Sequence, residues 1–404
     1  MNEWSDKYTC SNKLASLRGV MNNIKQIIEN RRAYYCLDCG KCTGVCPITR
    51  YDAGFSPRRI VEMATGRAPD ALLRDRLLWL CLTCRQCSQI CPSDVRYSEF
   101  IRDMRGQARA QGQQGECTHG DVIQTWMQIM TDPTRQQDRL GWLSDDLQVA
   151  DQSETVYWVG CLPHYETIFG DQDFQPTEIA RSGIRLLNHL GIRPMVLEDE
   201  RCCGHDALWE GDTETFRRLG EINLALLKEA KSAGAQRIVT TCPECTSTLA
   251  ISYPEMVGDS GLEVVHISQL LAESDLPALK GEQLRVTYQD PCRLGRYLRI
   301  YDAPRATLDA LGLELVEMEH NRQAALCCGT SCWTACGATN KAMQNNRLRE
   351  AQATGAELLV TACAKCQIHF QCAMADGQSA NGQPASGPQV KIKNLVTLAA
   401  EALR

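Results

Sequence analysis

Cysteine spacing is where this chain can do chemistry. Near the N-terminus one pattern occurs twice, as Cys36-x2-Cys39-x2-Cys42-x3-Cys46-Pro47 and as Cys81-x2-Cys84-x2-Cys87-x3-Cys91-Pro92. Further along, two sets of five follow a shared order: Cys161, Cys202-Cys203-Gly204 and Cys242-Pro-Glu-Cys245, then Cys292, Cys327-Cys328-Gly329 and Cys363-Ala-Lys-Cys366. Five of the 23 cysteines remain, at positions 10, 117, 332, 336 and 372. These read as small buried hydrophobes or incidental thiols, with Cys332 the least secure because it follows a cysteine pair so closely. In a large chain with an odd number of cysteines and no signal-peptide pattern, clustered thiols point to metal ligation rather than disulfides.

The doubled N-terminal run is the pattern of bacterial ferredoxins that carry two [4Fe–4S] clusters. In that pattern the fourth cysteine of each run serves the other cluster. One cluster is then expected on Cys36, Cys39, Cys42 and Cys91, and the other on Cys81, Cys84, Cys87 and Cys46. Structural zinc also suits Cys-x2-Cys pairs, but it has no need of the Cys-x3-Cys-Pro tail that both runs keep.

The later sets need a different account. Adjacent cysteines make poor disulfide geometry, and two neighbouring thiolates repel unless a positive centre sits between them. The glycine after each pair permits a turn that points both side chains inward. A cubane cluster or a tetrahedral zinc takes four ligands, yet each set offers five. The surplus implies a bridging sulfur in an unusual cluster, or a fifth residue kept for catalysis. Zinc stays open as an occupant of the first set, because closed sites built only from cysteine exist.

Elements must position these groups. Leu14–Ile28 reads as an amphipathic helix in a polar lead-in (residues 1–33), and a helical insertion from Arg58 to Trp79 separates the two ferredoxin-type runs (34–110). Connecting helices (111–153) begin with a QGQQG linker at Gln111–Gly115 and carry Trp126, Ile129 and Met130 on one face. Then the chain repeats itself. Strands at Thr155–Gly160, Met195–Glu198 and Arg237–Thr241 alternate with helices at Pro176–Leu190 and Thr213–Ala233 (154–280). Strands at Leu284–Gln289, Leu313–Met318 and Glu357–Thr361 alternate with helices at Pro304–Leu311 and Lys341–Thr354 (281–404). The repeat spacing is that of a duplicated domain rather than a solenoid. The expected fold class is α+β: a helical two-cluster ferredoxin-like domain, then two α/β domains with each cysteine group on a loop at a strand end. Asp376–Gln389 reads as a Gly/Ser/Pro-rich surface loop and Asn394–Leu403 as a closing helix.

On these motifs the chain, from Tyr34 to Cys372, resembles the catalytic subunit of heterodisulfide reductase in its fused form, a ferredoxin-type domain followed by two CCG domains. Relatives serve glycerol-3-phosphate, glycolate and lactate oxidation and occur in bifurcating and benzoyl-CoA-reducing complexes. The resemblance implies a noncubane [4Fe–4S] cluster on each five-cysteine set. It implies partner subunits such as a flavin-containing bifurcating subunit, a dehydrogenase or a membrane cytochrome, and a disulfide substrate. This chain keeps all ten CCG cysteines. It departs from the family around the second motif, where Cys332 and Cys336 follow closely (CCGTSCWTAC).

The remaining residues divide between plain and functional readings. His164 and His205 follow cluster cysteines, where a proton donor would be useful, although a hydrogen-bonded loop histidine is the plainer reading. Arg293, Arg296 and Arg299 recur every third residue after Cys292, and either offset cluster charge or form a solvated basic face. A formal net charge of −6 and 6% aromatic residues argue against nucleic acid as a partner. No apolar run is long enough to span a bilayer, so a cytoplasmic protein is expected, peripheral to the membrane only through a partner subunit. Two functions follow: disulfide–thiol redox catalysis fed by the ferredoxin-type clusters, or electron relay without a substrate of its own.

Overall fold

A computed structural model describes residues 20–170, 174–280, 284–376 and 387–404. Cys10, the first part of the expected Leu14–Ile28 helix and most of the Asp376–Gln389 loop lie outside the described residues; a helix runs over 20–30. The chain forms two compact units. The first comprises residues to Gly120 together with Asp206–Thr213 and Ser331–Thr339; the second holds the rest.

The first unit is helical. Its longest helix after residue 30, Tyr97–Arg109, buries Phe100, Ile101, Met104 and Ala108 along one side, the i, i+3, i+4 pattern of an amphipathic element. The insertion between the cysteine runs forms three short helices, Pro57–Thr65, Pro69–Leu72 and Leu77–Leu80. Proline opens the first two, where a missing N–H costs nothing. Ser56 caps the first, its side chain accepting from Arg59 N. Arg105 is fully buried and acts as a clamp. Its guanidinium donates to the carbonyls of Leu78 (3.0 Å), Trp79 (3.1 Å), Cys81 (2.7 Å) and Trp209 (2.8 Å).

The second unit holds two four-stranded parallel sheets of like topology. In one, β1 (Thr155–Trp158), β2 (Met195–Val196), β3 (Arg237–Thr240) and β4 (Glu263–His266) stand in the order β2-β1-β3-β4. In the other, β5 (Arg285–Gln289), β6 (Glu314–Leu315), β7 (Leu358–Thr361) and β8 (Ile392–Asn394) stand as β6-β5-β7-β8. Parallel neighbours need crossovers, which helices such as Pro176–His189, Thr213–Ser232 and Ala338–Ala353 supply. The central strands β1 and β7 are buried along their whole length. They read as continuous apolar runs, as strands covered on both faces do.

The two copies pack through equivalent elements exchanged. Helix Pro176–His189 of the first packs on Leu395–Glu401 of the second, and Ile267–Ala272 of the first packs on Asp302–Ala310 of the second. This is the pattern of a two-fold interface, in which each patch meets the other copy's counterpart.

Several sequence expectations are corrected. Each sheet has a fourth strand, β4 and β8, that no periodicity announced, because each runs without a break into the apolar helix that follows, Ile267–Ala272 or Leu395–Glu401. The strands expected at Met195–Glu198 and Leu313–Met318 contract to two paired residues each. The buried face of the connecting helix Val122–Ile129 is Ile123 and Met127, continued by Met130, while Ile129 is 40% exposed; the spacing i, i+4, i+7 selects that stripe.

Replacing Arg105 by leucine leaves four buried carbonyls without their donor. We expect a loss of about 3 kcal/mol or more and a thermal midpoint lower by roughly 10 °C, measured by circular dichroism, with Arg105→Lys recovering part of it.

Candidate metal centres

Each ferredoxin-type run has a cysteine that lies near cysteines of the other run. Cys46, Cys81, Cys84 and Cys87 line one cavity with about 310 Å³ of space between atoms, its open mouth included. Cys42 in turn lies within electrostatic reach of Cys36 and Cys91. Both groupings draw one cysteine from the opposite run. Their exposures differ. Cys46, Cys81, Cys84 and Cys87 are buried, whereas Cys39 is exposed and Cys36, Cys42 and Cys91 are half-buried.

Burial raises the thiols of the buried group, Cys46 to about 11 and Cys81 to about 12, since a low dielectric disfavours the anion. Arg105 and the Thr83 N–H oppose that rise at Cys81, the amide donating to its Sγ at 3.3 Å. The amide of Val95 donates to Cys91 Sγ at 3.4 Å. Buried sulfur served by backbone N–H donors is what a thiolate ligand of iron requires.

In the second unit each five-cysteine set is assembled from three strand ends. Cys161 and Cys292 follow β1 and β5 by three residues, and Cys242 and Cys363 follow β3 and β7 by two. The adjacent pairs sit on tight turns made by glycines with left-handed backbone, Gly204 at φ +79° and Gly329 at φ +88°. A Cβ at Gly204 would stand 2.8 Å from the Phe216 ring, so nothing larger fits.

The sulfurs then fall into one order in both copies. In the first, hydrogen-bonded neighbours run Cys161, Cys202, Cys203, Cys245, Cys242, beginning with a Cys161–Cys202 Sγ contact of 3.3 Å. In the second they run Cys292, Cys327, Cys328, Cys366, Cys363. Hydrogen bonds from Cys327 and Cys366 pull Cys328 down to about 6, and those from Cys161 and Cys203 pull Cys202 well down. Neighbours such as Cys161 and Cys366 are pushed up correspondingly. None of the described cysteines is disulfide-bonded. Ten sulfurs in two such chains, with amides donating to them at Cys202 and Cys363, suit a multinuclear sulfur-ligated centre in each copy.

Other groups hold these loops, and no sequence pattern marked several of them. Asn223 ties the first pair down, its side chain accepting from Arg201 N (2.8 Å) and donating to Cys202 O (3.0 Å) and the Tyr253 hydroxyl (3.0 Å). Buried Glu200 accepts from the amides of Val159 (3.1 Å) and Gly160 (2.7 Å) and from Arg139 (2.9 Å), fixing the turn that delivers Cys161. In the second copy Asn340 donates to Gly329 O. Of the three arginines expected on one face, Arg293 and Arg296 are buried beside Cys292 and oppose the rise in its thiol pKa that the Cys327 hydrogen bond and burial cause. Arg299 is exposed and has φ 64°, because the helical turn ends at Tyr297.

The histidines separate. His164 Nε2 accepts from Arg139 at 3.0 Å, and burial with that guanidinium lowers its pKa to about 3, so the ring is neutral. His205 is buried against Thr248 Oγ1 (Nδ1, 2.9 Å) and Glu244 (Nε2, 3.4 Å), and is also held neutral by burial with Arg293 and Lys365 nearby. Glu244 in turn receives Lys365 Nζ at 2.9 Å. These two residues occupy the same position in the two Cys-x2-Cys motifs, so their opposite charges stand in register in the sequence itself.

Breaking this buried pair from one side strands a charge. We expect Glu244→Gln and Lys365→Met each to destabilise the chain, and the double variant to be milder than their sum by about 1–3 kcal/mol, measured by thermal or denaturant unfolding.

Comparison with known proteins agrees with this arrangement. A 4Fe-4S dicluster domain matches residues 32–95, and a cysteine-rich (CCG) domain matches twice, at 155–250 and 286–371. One component of the dihydromethanophenazine:CoB–CoM heterodisulfide reductase of Methanosarcina barkeri is 28% identical over 91% of this chain and 93% of its own length. The EtfAB:quinone oxidoreductase of Syntrophomonas wolfei is 28% identical over 56% of this chain, but over only 34% of its own length. The fold is shared with a crystal structure of a hypothetical protein from Helicobacter pylori, at TM-score 0.51 and 11% identity, over 98% of this chain and 75% of that one. No helix among the described residues is long and apolar enough to cross a membrane. A ferredoxin-type domain followed by two CCG domains, matched nearly end to end by a heterodisulfide reductase component, makes this chain a heterodisulfide-reductase-like iron–sulfur subunit.

Proposed function

We propose that this iron–sulfur electron-transfer subunit performs disulfide–thiol redox chemistry in its cysteine-rich half. Cys36, Cys39, Cys42 and Cys91 hold one [4Fe–4S] cluster, and Cys81, Cys84, Cys87 and Cys46 the other. Each five-cysteine set holds a noncubane [4Fe–4S] cluster. The observation that carries this reading is the identical order of five contacting sulfurs in the two copies. It also favours one kind of occupant for both sets, against zinc in the first.

When bound, the clusters supply one-electron carriage and the paired electrons that a two-electron disulfide reaction needs. Reduction breaks one S–S bond, consumes two electrons and two protons and releases two thiols; oxidation runs the same balance backwards. The chain's own residues prepare the site. Arg293 and Arg296 set positive charge against Cys292, and Lys365 sets it beside Glu244 and the Cys363–Cys366 turn. That charge offsets the negative charge that gathers as electrons and thiolates accumulate. Neutral His205, held by Thr248 and Glu244, is the better candidate for handling a proton. His164 accepts from Arg139 through Nε2 and serves to orient the first loop. Partners that exchange electrons with the ferredoxin-type domain would be a flavin-containing subunit, a dehydrogenase or a membrane cytochrome.

A second reading, electron relay without a substrate, draws support from the quinone oxidoreductase relative. The holoprotein alone, assayed with reduced viologen and a panel of disulfides, separates the two. Turnover without a partner supports catalysis, and none with all clusters intact supports relay. Cys327→Ser is expected to abolish one unusual electron paramagnetic resonance signal while leaving the ferredoxin-type signals. Loss of every iron signal, or of none, contradicts the ligand assignment.

A further inference from the structure

The less buried of the two ferredoxin-type cysteine groups carries an unusual surface. Tyr34, Tyr35 and Leu37, which flank Cys36, are 52%, 61% and 69% exposed, and Ile90, beside Cys91, is 42% exposed. Single exposed apolar residues need no explanation. Four of them next to cysteines that the crossover gathers together, with Cys39 itself exposed, do. The surrounding charge is one-sided. From Arg31 to Arg59 the sequence holds six lysines and arginines against two aspartates, in a chain whose formal net charge is −6. Asp38 is already paired with Arg58 at 2.6 Å, and Arg32 stands 3.9 Å from Asp94. Lys41 and Arg96 are exposed and make no ion pair among the described residues.

We propose that the face around Cys36, Cys39, Cys42 and Cys91 is the docking surface for electron exchange, and that it fits a redox protein presenting an acidic rim around an apolar centre. The proposal rests on reading these cysteines as cluster ligands. An apolar centre with exposed aromatic residues excludes water at close approach, and a charged rim steers the encounter. Four exposed apolar residues within a charged rim suit the brief encounters of electron-transfer partners. A lipid surface also attracts tyrosines and basic side chains, but it brings no electron carrier to the exposed Cys39.

The probe is a dithionite-reduced acidic [2Fe–2S] ferredoxin, mixed in stopped flow with the oxidised holoprotein. The second-order rate is expected to fall by about tenfold or more between low and high salt. The charge reversals Lys41→Glu and Arg96→Glu together are expected to cut the low-salt rate about tenfold and flatten its salt dependence. Leu37→Ser is expected to slow transfer several-fold while leaving the salt slope unchanged. Both variants should retain the wild-type cluster spectra and reduction potentials. Wild-type rates in the charge-reversed protein, a rate indifferent to salt, or a Leu37→Ser variant that transfers as fast as wild type would overturn the proposal. So would salt-sensitive binding to phosphatidylserine vesicles with no transfer from the ferredoxin. The ligand reading fails separately: a Cys39→Ser variant with both ferredoxin-type signals intact would remove the cluster from this face and leave the docking measurements standing.

Discussion

Crowded sulfur governs this molecule. Two thiolates at the 3.3 Å separation of Cys161 and Cys202 would repel by roughly 5 kcal/mol at an effective dielectric near 20, and each copy strings five sulfurs together. Hydrogen bonds along the string favour the anion at Cys202 and Cys328 and disfavour it at neighbours such as Cys161 and Cys366. A positive metal centre offsets the repulsion. The left-handed glycines, the Asn223 and Asn340 ties and the Glu200–Arg139 brace all hold loops that such repulsion would otherwise open.

Duplication solves a second electrostatic problem. The copies meet through exchanged equivalent helices, as two halves of a symmetric dimer do. In a true dimer the same residue sits at equivalent positions on both sides, so the turns between the paired cysteines would present like charges to each other. Fused in one chain, the two positions are free to diverge, and Glu244 now faces Lys365. The pair links the two Cys-x2-Cys turns directly, and His205 joins it from the loop of the first adjacent pair. His205, Glu244 and Lys365 thus form one chain of contacts between the loops of the two sets.

Much of this was legible in the sequence because cysteine spacing is a geometric statement. The doubled run led to the expectation that Cys46 joins Cys81, Cys84 and Cys87, four residues that line one cavity, and the repeat implied two α/β domains with cysteines at strand ends. What stayed hidden depends on packing rather than pattern. Strands β4 and β8 run straight into helices, so their residues merge with the helical pattern that follows. The split between buried Arg293 and Arg296 and exposed Arg299 depends on where a helical turn stops. The segments Asp206–Thr213 and Ser331–Thr339 leave their own domains to join the ferredoxin-type unit. Within that unit they are bound by Arg105 to Trp209 O and by the Thr83 hydroxyl to Ser331 Oγ at 3.1 Å, contacts between residues too far apart in sequence for local pattern to reveal. Cys332 lies in the second of these segments.

Elemental analysis of anaerobically purified protein bears most directly on the central claim. Four clusters predict about 16 iron atoms and as many acid-labile sulfides per chain, with no zinc. About 8 iron atoms accompanied by zinc, or a protein whose later cysteines resist alkylation until a disulfide reductant is added, would contradict it.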